Sequence, residues 1–76
     1  MKTYDQAIHK AVLIALSYHF SGAHFLTNFS SIGNMISHIY DKTYDEVFRD
    51  FIRVFDEVLH MDLSMHEKIY LVQRRT

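Results

Sequence analysis

Apolar residues recur along this chain at intervals of three and four, and the polar residues between them change character at residue 41. From Tyr44 onward, Val47, Phe48, Phe51, Val54, Phe55, Val58 and Leu59 share one helical face, while Asp45, Glu46, Arg49, Asp50, Arg53, Asp56 and Glu57 take the other. That spacing predicts an amphipathic helix from Tyr44 to about His60. Upstream, Phe25, Phe29, Ile32, Ile36 and Ile39 are separated by four, three, four and three residues, a heptad seam that Leu26, Met35 and Tyr40 widen. This predicts a second helix. Its start is ambiguous, because Asn28, Ser30 and Ser31 can each cap a later beginning, and a kink over residues 24–31 is the alternative.

A first helix is expected from Tyr4 to Phe20, closed or bent at Ser21-Gly22. Its middle, Ala11 to Leu16, is apolar on every side, which places it at the centre of the fold. Ala7, Ala11 and Ala15 form a seam of small residues along which a neighbouring helix can approach closely. The segment from Met65 to about Arg75 reads as a short fourth helix. Ile69-Tyr70-Leu71-Val72 also suits a strand, but a lone strand has nothing to pair with except another copy.

Proline is absent, so helix starts must be read from caps. Thr3-Tyr4-Asp5-Gln6, Thr43-Tyr44-Asp45-Glu46 and Ser64-Met65-His66-Glu67 are three capping boxes, each followed by apolar residues at helical spacing. The first two lie in a near repeat, Lys2 to Gln6 and Lys42 to Glu46. Since the residues that follow diverge after about two turns, shared cap chemistry explains it better than a duplicated hairpin. The expected fold is an all-α single domain over residues 1–76: three long helices and a short C-terminal one, completed by oligomerisation.

The expectation of an oligomer comes from charge. Every Asp, Glu, Lys and Arg lies in residues 1–10 or 41–76, so Ala11 through Tyr40 carries no formal charge. Three helices in 76 residues also offer more apolar face than one small core can bury. The expected interface is Tyr18, Phe20, Phe25, Phe29, Ile32, Ile36 and Ile39, joining a homodimer and a second protein. The stretch is no membrane span, because His, Asn and Ser interrupt every window of about 18 residues. Nor does it read as a signal peptide, since Asp5 sits in the basic region and Tyr18-His19 breaks the apolar run. A cytoplasmic location without membrane contact is expected.

Candidate chemistry is sparse. There is no cysteine, which removes disulfides, thiol catalysis and thiolate metal sites. Six histidines are the one oddity. His24 and His38 are two heptads apart with Ser31 between them, so His19, His24, Asn28, Ser31, Asn34 and His38 suggest a polar stripe edging the seam, sensitive to pH or able to hold a ligand. No two histidines within a helix have the i, i+4 spacing of adjacent-turn metal ligation; His19, His24 and His60 can only meet from separate elements. No metal or other cofactor is expected.

The carboxylates lie beside arginines on a solvent face, and no G-x-S-x-G elbow or phosphate loop occurs, so no catalytic residues are assigned. A helix-turn-helix can be drawn over residues 31–54. Its recognition helix would open with Asp45 and Glu46, which repel phosphate, and the net charge of −1 gives no field for nucleic acid. The expected function is therefore non-catalytic: a small helical regulator, adaptor or inhibitor acting by protein-protein binding. The alternative is a small-molecule binder that holds a metabolite or nucleotide among the polar residues of the subunit interface.

Overall fold

Four α-helices form among the described residues: α1 (Tyr4–Phe20), α2 (Leu26–Tyr40), α3 (Tyr44–Leu59) and α4 (Met65–Gln73). The computed structural model describes residues 2–76, with the backbone alone for residues 26–28.

Helix starts follow the capping boxes. Thr3 Oγ1 accepts from Gln6 N at 3.2 Å while Gln6 Oε1 accepts from Thr3 N at 2.8 Å. Thr43 with Glu46 and Ser64 with Glu67 repeat the reciprocal pair. Each box satisfies two donors that the first turn leaves without helical partners. Helix α2 is the exception: its N-cap is Phe25, in the αR region, with no side-chain cap. The helix begins before each of the polar residues expected to cap it. The segment from Met65 is helical, which settles the strand alternative.

Two residues with positive φ shape the turns. Gly22, at φ 83°, follows α1 and suits a residue without Cβ. Asp41, at φ 53°, closes α2 in the left-handed region, where Asp is tolerated better than most side chains.

Helix α1 is the centre, as its all-round apolar middle implies. It packs on α3 and α4 and, less extensively, on α2, while α2 packs on α3. The core joins Ile8, Val12 and Leu16 of α1, Phe29 and Ile36 of α2, Val47, Phe51 and Val58 of α3, and Val72 of α4. Between α2 and α3 the contact is aromatic. The Phe29 ring lies 4.4 Å from Phe51, centroid to centroid, and meets Phe48 and Tyr44 edge-on. Gly33 makes this possible: a Cβ there would sit 2.7 Å from both the Phe29 and Tyr44 rings.

Polar ties fix the ends of the bundle. Tyr4 Oη donates to Asp50 Oδ2 at 2.6 Å, tying the start of α1 to α3, and Tyr40 Oη donates to the Lys2 carbonyl at 2.8 Å. Burial, followed by the hydrogen bond to Asp50, pushes the Tyr4 hydroxyl above the ordinary tyrosine range. A raised tyrosine stabilises the fold fully below that range, and the stabilisation is lost as pH rises through the folded value. Tyr44, in the matching place of the second box, packs by its ring on Phe29 and Phe48. The two boxes share a local device and have different surroundings.

Candidate functional site

The heptad seam of α2 divides between the interior and the surface. Phe25, Phe29 and Ile36, expected at an intermolecular interface, are core residues of this chain, and Phe29 is only 1 % exposed. The correction has a simple cause. Spacing identifies which residues share a face and says nothing of which helix covers it; here α1 and α3 of the same chain do. Phe20 and Ile32 are part-buried against that core. Tyr18 is exposed, its ring edge-on to Phe25 at 5.6 Å. Ile39 is 58 % exposed, and Met35, which only widened the seam, is 56 % exposed.

The polar positions are divided between the end of α1, the α1–α2 turn and α2. His24 precedes α2, so the two-heptad register with His38 is broken. His19 and His24 share a cavity of about 190 Å³ with Phe25, Phe51 and Phe55 beneath the α1–α2 turn. Ser31, Asn34 and His38 are polar positions along α2 outside that cavity, and the Asn28 side chain lies outside the described residues. His60 bonds through Nδ1 to the Asp56 carbonyl at 2.8 Å. Among the described residues, no group of three or more His, Asp or Glu is arranged to hold a metal ion.

Sequence reasoning did not single out His9, which is 5 % exposed. A signal was present, since His9 stands at i, i+3 and i+7 with Val12 and Leu16 on the buried stripe. Its Nδ1 lies 2.8 Å from the Asp5 carbonyl, so Nδ1 carries the proton and donates, with the Asp5 carboxylate 3.5 Å away. The ring borders a cavity of about 180 Å³ that Asp5, Arg53, Glu57 and Arg75 also line, where α1, α3 and α4 meet. Two acids, Asp5 and Glu57, and two arginines, Arg53 and Arg75, thus share this lining.

Among the described residues, exposed apolar side chains gather at two surfaces in particular. One is a groove of about 180 Å³ between α1 and α2, with Ala7, Ala11, Ile14 and Ile36 along it, Met35 and Ile39 on the α2 side, and Lys2 and Lys10 as the charged residues among its lining. The alanine seam was expected to draw a helix into close contact. Ala11 and Ala15 are buried, at 1 % and 0 % exposure, Ala7 packs against the core, and Ala7 and Ala11 also contribute to the lining of this groove. The second surface lies on α4, where Leu63, Tyr70 and Leu71 are accompanied by His66, Glu67 and Arg74. Tyr70 is 63 % exposed, with the Arg74 guanidinium 5.8 Å from its ring centre.

These features define a small all-helical fold with exposed apolar surfaces between α1 and α2 and on α4. No family model matches the chain, and no curated protein or solved structure matches it. Among the described residues no helix is long and apolar enough to cross a membrane.

Proposed function

We propose that this chain is a non-catalytic helical regulator, adaptor or inhibitor that acts in the cytoplasm by binding another protein through the groove between α1 and α2. The observation that carries this reading is the exposure of Met35 and Ile39 beside the apolar groove, within the stretch that has no formal charge. An ordinary solvent face would carry Lys, Glu or Arg at such positions, as α3 does. Apolar side chains clustered at a concave surface are what a partner covers. The test is affinity capture from host lysate with the wild-type chain and with the double variant Met35→Asp, Ile39→Asp, folding of both being checked by circular dichroism. Loss of a wild-type partner in the folded variant supports the reading, and an unchanged set of captured proteins overturns it.

A small-molecule function would use the cavity of His19 and His24. At about 190 Å³ that cavity falls below the roughly 300–1,000 Å³ of clefts that enclose drug-sized ligands, so protein binding is the favoured reading.

Self-association is a second element of the proposal, and the α4 surface suits it better than the groove. A two-fold contact sets one patch against itself and therefore favours a patch that holds both signs of charge. The α4 surface has Glu67 and Arg74 around its apolar residues, whereas the groove has lysines alone. Light scattering on the wild type and on Tyr70→Asp tests this. A dimer that becomes a monomer on substitution supports it, and a wild-type monomer at micromolar concentration removes it.

A further inference from the structure

We propose that the occupant of the α1–α2 groove is an amphipathic α-helix of another protein, with apolar anchors at i, i+3 or i+4, and i+7 and with carboxylates flanking them. The proposal rests on the reading of the groove as a protein-binding surface and names the chemistry of what binds there.

Shape and backbone chemistry select the helix. The groove runs between two α-helices whose own backbone groups are engaged in helical hydrogen bonding, and no strand exists among the described residues to offer an edge. An extended peptide recognised by strand addition would find no ladder to join. A segment that buries itself between helices must satisfy its backbone internally, as a helix does. At about 180 Å³ the groove has room for inserted side chains and not for a whole metabolite of drug size.

Charge selects the acidic flank. Lys2 and Lys10 are the charged residues lining the groove, and neither has a carboxylate within 4 Å among the described residues. Both are exposed, so their ammonium groups are free to meet carboxylates at the rim while their methylene stems add to the apolar wall. At the Tyr4 end the charge is mixed, with Lys42 Nζ 4.7 Å from the centre of the Tyr4 ring and Asp50 accepting from the Tyr4 hydroxyl at 2.6 Å, so the basic rim of the groove is Lys2 and Lys10.

A second copy of this chain is the weaker occupant. Residues 11–40 contain no acid, so a two-fold pairing of grooves sets lysines against lysines or against an uncharged surface. The acidic face of α3 could reach the groove of another copy, but it is interleaved with Arg49 and Arg53 and lacks an exposed apolar stripe, Phe48 being its one exposed large apolar residue. A membrane surface is disfavoured by form, because the apolar residues line a concavity instead of a protruding face.

The experiment titrates the isotope-labelled full chain with two designed helical peptides that share one leucine stripe, one flanked by glutamates and one by lysines. The glutamate peptide should shift the amides of Ala11, Ile14, Met35 and Ile39. It should bind at least about tenfold more tightly than the lysine peptide and lose about that factor with Lys2→Glu, Lys10→Glu, the contrast shrinking as salt rises. Those lysines are exposed, so the variant should keep its fold by circular dichroism. Equal affinity for both peptides, binding of neither, or shifts confined to α4 overturns the proposal. So does dilution of the chain alone if it moves the groove amides, which marks a second copy, or Met35-dependent sedimentation with phosphatidylserine–phosphatidylcholine vesicles, which marks a membrane. If host-lysate capture survives Met35→Asp, Ile39→Asp, the underlying reading has failed. If that capture is abolished and yet both peptides are ignored, the error lies in the helix alone.

Discussion

Helices α2 and α3 press against each other through an aromatic cluster centred on Phe29 and differ on the side that faces away from it. Phe29 and Phe51 are both about 1 % exposed and their rings meet at 4.4 Å, so the inner faces are equivalent in kind. The outer face of α3 is lined by Asp, Glu and Arg, which keep it in water at little energetic gain; its ion pairs, such as Arg53 to Glu57 at 4.0 Å, are exposed and loose. The outer face of α2 has no charge and leaves Met35 and Ile39 beside a groove. A helix that only completes a core has the first arrangement. The second costs solubility, and an added contact is the physical return that explains it.

The inner faces are the place to break the equivalence. Phe29→Ala and Phe51→Ala should each cost about 3–5 kcal/mol in chemical denaturation, comparable with the whole stability of so small a domain. A cost near 1 kcal/mol for Phe29 alone would mean that α2 is only loosely joined to α3. Gly33→Ala comes next. Alanine gains about 1 kcal/mol of helix propensity, but its Cβ meets two rings at 2.7 Å, and overpacking of about 1–3 kcal/mol should leave a net loss of melting temperature.

Removing the cap of α3 with Thr43→Ala should cost about 1 kcal/mol, a contribution for which α2, capped by Phe25, has no counterpart. On the outer face of α2, Met35→Asp and Ile39→Asp should each change stability by no more than about 0.5 kcal/mol, in contrast with the core positions one turn away. A loss of several kcal/mol there would mean that the groove belongs to the core. The smallest effect is the pH response of another capping box. Hydrogen bonds from Ser64, backbone first and then side chain, hold the Glu67 carboxyl below the ordinary range. Its contribution is therefore present above that range and is lost as pH falls through the folded value, which amide shifts at the start of α4 should follow.

Helix existence and most boundaries were legible in the sequence because they rest on local chemistry. Three hydroxyl residues with Gln or Glu three positions on, and no proline, leave little freedom. The start of α2 was not legible, since nothing caps it through a side chain and tertiary packing of Phe25 and Phe29 sets it. The same distinction governs the site. That the uncharged stretch carries exposed apolar residues could be read from charge alone; that Phe29 and Ile36 point inward while Met35 and Ile39 do not depends on where α1 and α3 come to lie. His24 misled because a two-heptad spacing was counted across a residue outside the helix, and His9 was passed over although its register with Val12 and Leu16 marked it as interior.

The central place of α1 bears on how the chain behaves while it is being synthesised. Its partners are chiefly α3 and α4, which are synthesised after it and after α2, and its packing on the adjacent α2 is the slighter one. Residues 11–40, thirty positions in succession without a formal charge, are therefore made before either of the helices that will cover α1. An α1–α2 fragment would lack Phe51, Val58 and Val72, so it should remain open until α3 arrives and supplies the other half of the aromatic contact. The order of the helices thus makes the nascent chain most exposed to stray association just before it becomes able to fold.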